Sequence, residues 1–249
     1  MLANDRKIWI NTQLEKKNSI TLQEICDGIH ASSATVRRDL EEMETNHLLK
    51  RVHGGAVSIH SDAILYERNE LSSAQKKQIR MDEKDRLCKA AAALVEDGDC
   101  VFIDGGTTFI PLVNALRGKH IQIVTNSDLI RQDNDSTISI IALGGLSLSR
   151  YQMNVGPITI ETMKQFSFDK AFIGCAGIDI KKDAAYTAET DSAQIKKEAM
   201  HQSIASYLLA DSSKIGTRGF YQFCHLKDFD NCFIISNHQK LPKNFISVR

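Results

Sequence analysis

The chain has 249 residues, 42% hydrophobic and 25% charged, a balance that excludes an extended disordered chain and fits one small domain of roughly 60 residues beside one of roughly 150–190. The N-terminus is polar (Asn4, Asp5, Arg6, Lys7) and no apolar run nears the ~18–20 residues of a membrane span, so the sequence reads as soluble and cytoplasmic with no membrane partner. Lys plus Arg equals Asp plus Glu at 31 each, and residues 1–57 hold eight of either sign, which excludes bulk charge as the source of any attraction to nucleic acid.

The first predicted helix runs from about Asn4 to Lys16, with Ile8, Ile10 and Leu14 as its apolar residues. Thr21 followed by Glu24 is a capping box that opens a short helix through Leu22, Ile25 and Ile29. His30-Ala31 makes a turn, and Ser32 or Ser33 caps a third helix with Val36, Leu40 and Met43 on one face. This register puts Ser33, Thr35, Arg37 and Arg38 in the first turns of that helix, beside or away from the apolar stripe. In a helix-turn-helix, the second helix of the motif enters the major groove by its N-terminal end, where Arg side chains fork onto guanine edges or phosphates and hydroxyls serve either. The acids Asp39, Glu41, Glu42 and Glu44 fall further along, so the charge is expected to segregate along the helix. Leu48 to Val57 alternates around Lys50, turns at Gly54-Gly55 and carries Arg51 and His53, as suits a β-wing lying against a DNA backbone.

Residues 58–80 are polar (Ser61-Asp62, Ser72-Ser73, Gln75-Lys76-Lys77-Gln78) and read as a linker between a DNA-binding domain at 1–57 and an α/β domain at 81–249. From Asp85 a helix runs through Leu87 to Leu94. Strands are expected at Cys100–Ile103, Ile121–Val124, Ile138–Leu143, Lys170–Gly174, Ser206–Ala210 and Cys232–Ile235, with a helix at 109–116. Short, nearly continuous apolar strands separated by helices indicate a mostly parallel sheet covered on both faces. Five strands run into polar loops: Asp104-Gly105-Gly106-Thr107-Thr108, Thr125-Asn126-Ser127, Gly144-Gly145, Gly174-Cys175-Ala176-Gly177 and Asp211-Ser212-Ser213-Lys214. Ligands of open parallel sheets bind outside the carboxyl ends of the strands, so these loops point to one polar small-molecule site. Asp104 to Thr108, opening a helix, offers backbone amides, hydroxyls and a positive dipole end to a phosphate. Lys214 adds a point charge, and Asp211 an acceptor for sugar hydroxyls. The six cysteines include no C-x-x-C pair and several lie in strand-like runs, so reduced, mostly buried thiols are expected, with no metal site and no cofactor.

The stretches Ala31-Ser32-Ser33-Ala34-Thr35-Val36-Arg37-Arg38-Asp39-Leu40 and Leu49-Lys50-Arg51-Val52-His53-Gly54-Gly55-Ala56 closely resemble the helix-turn-helix signature of the DeoR family of bacterial regulators. The second half resembles the DeoR-type sensor domain, whose fold is like that of sugar-phosphate isomerases, through the loops just quoted and through Phe168 to Gly174. Two departures stand out. Asn46-His47 replaces a usual Gly before the wing, where Asn is expected to supply a left-handed backbone, and Asp183-Ala184-Ala185-Tyr186 replaces a Gly-led run, near Glu189, Asp191 and Lys196.

The resemblance implies a non-enzymatic transcriptional repressor of a carbohydrate-utilisation operon. Its partners would be double-stranded operator DNA, met by Ser32, Ser33, Thr35, Arg37, Arg38, Lys50, Arg51 and His53, a phosphorylated sugar that releases it, and further copies of itself in a dimer or tetramer. Two other readings stay open on the sequence. One is a sugar-phosphate isomerase-like enzyme using Asp169, Glu189, Asp211 or Lys214 as acid and base. The other is a constitutive DNA-binding protein whose large domain only oligomerises. A dinucleotide oxidoreductase is excluded, since Gly105-Gly106 lacks the G-x-G-x-x-G spacing and the next strand does not end in an acid.

Overall fold

The computed structural model describes residues 2–17, 19–46, 48–52, 54–58, 65, 70–77, 79–130, 136–236 and 241–248. It divides into two compact units, Met1–Ile64 and Leu65–Arg249.

In the smaller unit, helix α1 (Ala3–Lys17) leads to strand β1 (Ser19–Thr21), helices α2 (Leu22–Ile29) and α3 (Ser33–Thr45), and the hairpin of β2 (Lys50–Val52) and β3 (Gly55–Val57). Strand β1 adds to the hairpin in the antiparallel order β1-β3-β2. The Thr21 hydroxyl accepts from the Glu24 amide while the Glu24 carboxylate accepts from the Thr21 amide, so the predicted capping box forms. Ile10, Leu14, Ile25, Val36, Leu40, Met43 and Leu49 fill the core. Ile8, expected there, is 58% exposed. Ile10 and Leu14 are four residues apart and share a face, whereas Ile8 is two residues from Ile10 and turns away from it. The wing turn takes its positive φ at Gly54, at 84°. Asn46 does not supply the expected left-handed residue: its φ is −86°, and its side-chain amide donates to the Glu42 carbonyl at 2.8 Å, continuing the helix by one residue.

The larger unit begins with helices α4 (Ser73–Lys76) and α5 (Met81–Ala92). Strands β4 (Cys100–Ile103), β5 (Ile121–Thr125) and β6 (Ile138–Ala142) follow, with helix α6 (Ile110–Ala115) between the first two. A hairpin of β7 (Leu146–Leu148) and β8 (Met153–Val155) precedes helix α7 (Pro157–Met163) and strand β9 (Phe168–Ile173). Strands β10 (Gly177–Asp179) and β11 (Ala184–Thr187), helix α8 (Thr190–His201), and strands β12 (Ser203–Ala210), β13 (Tyr221–Cys224), β14 (Asn231–Ile234) and β15 (Phe245–Ser247) complete it. The main sheet has the order β15-β14-β12-β9-β4-β5-β6 and every pairing in it is parallel. Strands β10, β11 and β13 form a small antiparallel sheet of their own.

Side chains alternate across the main sheet. Val101 and Ile103 pack with Leu87 and Leu112 of α5 and α6. Phe102 and Ile173 pack with Met163 and Ile195 of α7 and α8. Both faces are therefore covered, as a parallel sheet requires. Residues 70–80, drawn from composition as linker, belong to this unit: Glu70 and Ser73 are buried, and the Ser73 hydroxyl donates to the Tyr151 carbonyl at 2.7 Å. The polarity of Glu70, Ser73 and Lys76 is matched by partners within the unit, while Gln75 and Lys77 face solvent. The chain steps from β4 to β5 on one side and returns across β4 to place β9 on the other, so strand order reverses between β4 and β9. A ligand crevice is expected there.

Candidate functional site

In the smaller unit, the Ser32 hydroxyl caps α3 by accepting from the Thr35 amide at 3.3 Å and lies 3.0 Å from the Thr35 hydroxyl. Ser33, Arg37 and Arg38 are exposed on the N-terminal half of the helix, and neither arginine makes an ion pair among the described residues. The acids behave differently from the simple segregation that the sequence implies. Asp39 is buried and takes both Nε and Nη2 of Arg6, at 2.6 and 2.9 Å. Glu42 pairs with Lys7. Glu44 accepts from the Arg51 amide at 2.8 Å and its Nε at 2.7 Å, which holds the carboxyl below its ordinary range. Three of the four acids on α3 are thus answered within the unit, and cation is left over at Arg37, Arg38 and the exposed Lys50. Arg51 braces the wing against α3. His53 lies outside the described residues.

In the larger unit, the loop ends meet as the strand order requires. Asp104, at the end of β4, accepts from the Gly174 amide across the switch point at 3.0 Å and pairs with the buried Lys196 of α8. The Gly105 amide donates to the Asn126 side chain at 2.9 Å, and Asn126 donates to the Asn154 carbonyl at 3.0 Å. The Thr125 hydroxyl donates to the Ile103 carbonyl at 2.6 Å and accepts from the Ser127 amide at 3.0 Å. Thr125, Asn126 and Ser127 therefore build the wall of the crevice through bonds already made. Gly144 and Gly145 are tied to α7: Thr159 donates to the Gly144 carbonyl at 2.8 Å, and a Cβ at Gly145 would lie 2.0 Å from the Thr159 hydroxyl.

The loop after β4 departs from expectation. Gly106, at φ 147°, leads into a single 3-10 turn at Thr107–Phe109, and only then comes α6, six residues long. The helix dipole offered to an anion there is correspondingly small. Cations supply what it lacks. Thr107 accepts from Lys84 of α5 at 3.0 Å, and the Lys84 ammonium also donates to the Lys76 carbonyl at 2.7 Å. Burial pushes the Lys84 amine down to about 8. Asp211, buried at the end of β12, caps the turn Ser212–Lys214 and feels the charges of Lys214, Arg80 and Lys84, which hold it below the usual carboxylate range against its burial. Arg80 donates to Glu83 at 2.9 Å, and Glu83 accepts from the Ser212 amide at 2.9 Å. Cys175, after β9, sits in the fields of Lys214, Asp211, Lys196 and Asp104. Lys76 pairs with Glu70, and its ammonium lies 5.4 Å from the Tyr151 ring centre.

The structure thus gathers Asp104, Thr107, Asp211 and Lys214 of the expected residues, with Lys196 that the resemblance also pointed to, and adds Lys76, Arg80 and Lys84. Asp169 does not join them. It lies at the start of β9, at the opposite end of the sheet, where its carboxylate accepts from the Cys100 amide at 2.8 Å.

Residues 6–62 match the DeoR-like helix-turn-helix domain, and residues 79–236 match the DeoR C-terminal sensor domain. The chain belongs to the DeoR family. A DeoR relative in Bacillus subtilis (strain 168), the uncharacterized HTH-type transcriptional regulator FruR, is 35% identical over 92% of this chain and 89% of its own. The lactose phosphotransferase system repressor of Streptococcus mutans is 32% identical over 98% of each chain. Among solved structures, ribose 5-phosphate isomerase A of Methanocaldococcus jannaschii superposes with a TM-score of 0.40 at 17% identity, over 54% of each chain. The two matched segments follow each other in the chain, and they fall in the two compact units. No helix among the described residues is long and apolar enough to cross a membrane.

The cations that sequence reasoning missed in this DeoR sensor had one visible signal. Lys84, Leu87, Cys88 and Ala91 recur at the helical spacing of one face, so Lys84 occupies a position on an apolar stripe.

Proposed function

We propose that this regulator is a repressor of a carbohydrate-utilisation operon. It binds operator DNA through Ser33, Thr35, Arg37, Arg38, Lys50 and the wing, with Ser32 capping the recognition helix. It lets go when a phosphorylated sugar occupies the crevice of the larger unit, with the phosphate at Lys84, Lys214 and Thr107 and the hydroxyls near Asp104 and Asp211. The observation that carries the DNA half is the leftover charge on α3: three of its four acids are engaged by Arg6, Lys7 and Arg51, while Arg37 and Arg38 stay exposed. One winged helix contacts too little DNA for specific affinity, so a dimer or tetramer is expected. The lactose phosphotransferase system repressors among its relatives support the carbohydrate reading. Against an isomerase, Asp169 lies away from the crevice, and Asp104 and Asp211 are held by cations and backbone amides. Glu189 is the one carboxyl among the acid-base candidates left without such a hold, and the turnover measurement below decides its part.

The test is a gel-shift titration at fixed salt on a duplex selected by the wild-type protein from a random library. Arg38→Ala should weaken binding by about 1–3 kcal/mol with the fold intact; unchanged affinity removes Arg38 from the interface. Lys214→Ala should bind the same duplex normally and fail to release it when sugar phosphates that release the wild type are added. Sustained conversion of any of those sugar phosphates, followed by NMR, would instead make the protein an enzyme.

A further inference from the structure

The charges around the crevice balance only in part. Lys76 is answered by Glu70, Arg80 by Glu83 and Lys196 by Asp104, while Lys84 and Lys214 share the single carboxylate of Asp211. Among the described residues, with Arg150 beside Tyr151, two positive charges are in surplus, and one further carboxyl, Glu189, decides whether that surplus is kept or halved. Glu189 precedes α8 and makes no side-chain bond to its first amides. Its carboxyl lies against the Glu70 carboxyl and the Tyr151 hydroxyl, within the field of Lys76, and its Oε1 is buried with no hydrogen-bond partner. Arg150 adds a charge beside Tyr151, whose ring it faces at 5.9 Å.

We propose that Glu189 is the charge-selecting residue of the anion site: with its proton on, the crevice keeps its full surplus of positive charge and binds a dianion of the phosphate type; with its proton off, that surplus is halved and the dianion is held less tightly. The inference rests on the crevice being the effector site. Two carboxyls in hydrogen-bond contact share one proton more readily than they carry two charges. Burial, then the charge of Glu70, push Glu189 up to about 7, the Tyr151 hydroxyl and Lys76 opposing them. A dianion arriving at Lys84 and Lys214 adds a third negative group and drives proton uptake. By linkage, affinity is flat below the pKa of the free protein and falls by up to tenfold per pH unit above it.

Sulfate is the probe, because it stays a dianion from pH 6 to pH 9. Calorimetric titration of the full-length protein at constant ionic strength should give about twentyfold weaker binding at pH 8 than at pH 6, about tenfold from Glu189 and about twofold from Lys84. Glu189→Gln, which keeps the size and can still bond Glu70, should bind at pH 8 within about twofold of its own affinity at pH 6, the residue of the change coming from Lys84. Glu70→Gln should move the onset of the fall below pH 7, an effect that a merely structural role would not produce. A wild type with no pH dependence, or a Glu189→Gln variant with the full loss of about twentyfold, overturns the proposal while leaving the anion site standing. No sulfate binding at any pH, together with no stabilisation by sugar phosphates, overturns the anion site itself.

Discussion

At the scale of single residues, the larger unit keeps a cation where helix periodicity calls for an apolar side chain. Lys84 is 3% exposed, bonded to a carbonyl and a hydroxyl, and sits with Leu87, Cys88 and Ala91 on the buried stripe of α5. Its folded-state pKa of about 8 lies below the ordinary lysine value. Between about pH 8 and 10.5 the unfolded chain therefore holds the proton that the folded chain has lost, so this residue makes stability rise with pH across that window, by at most about 1.4 kcal/mol per pH unit. Below pH 8 its burial is a standing cost. Lys84→Met should raise the urea midpoint at pH 7, flatten the pH 8–10 dependence of that midpoint, and weaken sulfate binding at least about tenfold. A lower midpoint at pH 7 would show that the bonds to Lys76 and Thr107 outweigh the desolvation. Of the candidate site residues, Asp104, Thr107, Asp211 and Lys214 could be picked out because they lie at or within four residues of the ends of apolar strands. Lys76, Arg80 and Glu70 were not, because a polar stretch reads as solvated until its tertiary partners are known.

At the scale of elements, what could be read was whatever repeats. The parallel strands announced themselves as apolar runs such as Cys100–Ile103 and Cys232–Ile234, which a strand buried on both faces must have. Strands β10 and β11, three and four residues long, have no such pattern; they exist by pairing with each other and with β13. The start of α3 was legible to within one residue, with Ser32 or Ser33 expected as its cap. Ser32 is its cap, and its hydroxyl is occupied by the Thr35 amide. Ser32→Ala should cost the smaller unit about 1 kcal/mol, read from urea denaturation, whereas Ser32→Asp should restore most of it. Equal losses in both variants would mean that the hydroxyl acts elsewhere than at the cap.

For the whole molecule, the consequence of having two compact units is that each must be held by its own core. The smaller rests on ten buried side chains, Leu40 among them, and a unit of this size has only several kcal/mol of stability to lose. Leu40→Ala removes about 2–5 kcal/mol. It should abolish DNA binding at 37 °C while sulfate still binds the larger unit with wild-type affinity. Phe102→Ala, in the sheet core, should do the reverse damage and remove sulfate binding first. Loss of both activities together in Leu40→Ala would show that the two cores fold as one. The boundary at 64/65 falls inside the expected linker at 58–80, but the larger unit begins at Leu65, well before the expected 81, because Glu70, Ser73 and Lys76 look like linker and behave as interior.

Cys175 stands among Lys214 and Lys196, a setting that ordinarily makes a thiol reactive. Burial wins, and its pKa is pushed up to about 12, so that at neutral pH about one molecule in 10⁵ carries the thiolate. Cys88 is pushed up to about 12 as well, and burial raises Cys224 and Cys232 in the same direction. Peroxide and electrophiles act on thiolates. At neutral pH these four sulfurs are therefore poor targets for either, and the lysines beside Cys175 do not make it a reactive thiol.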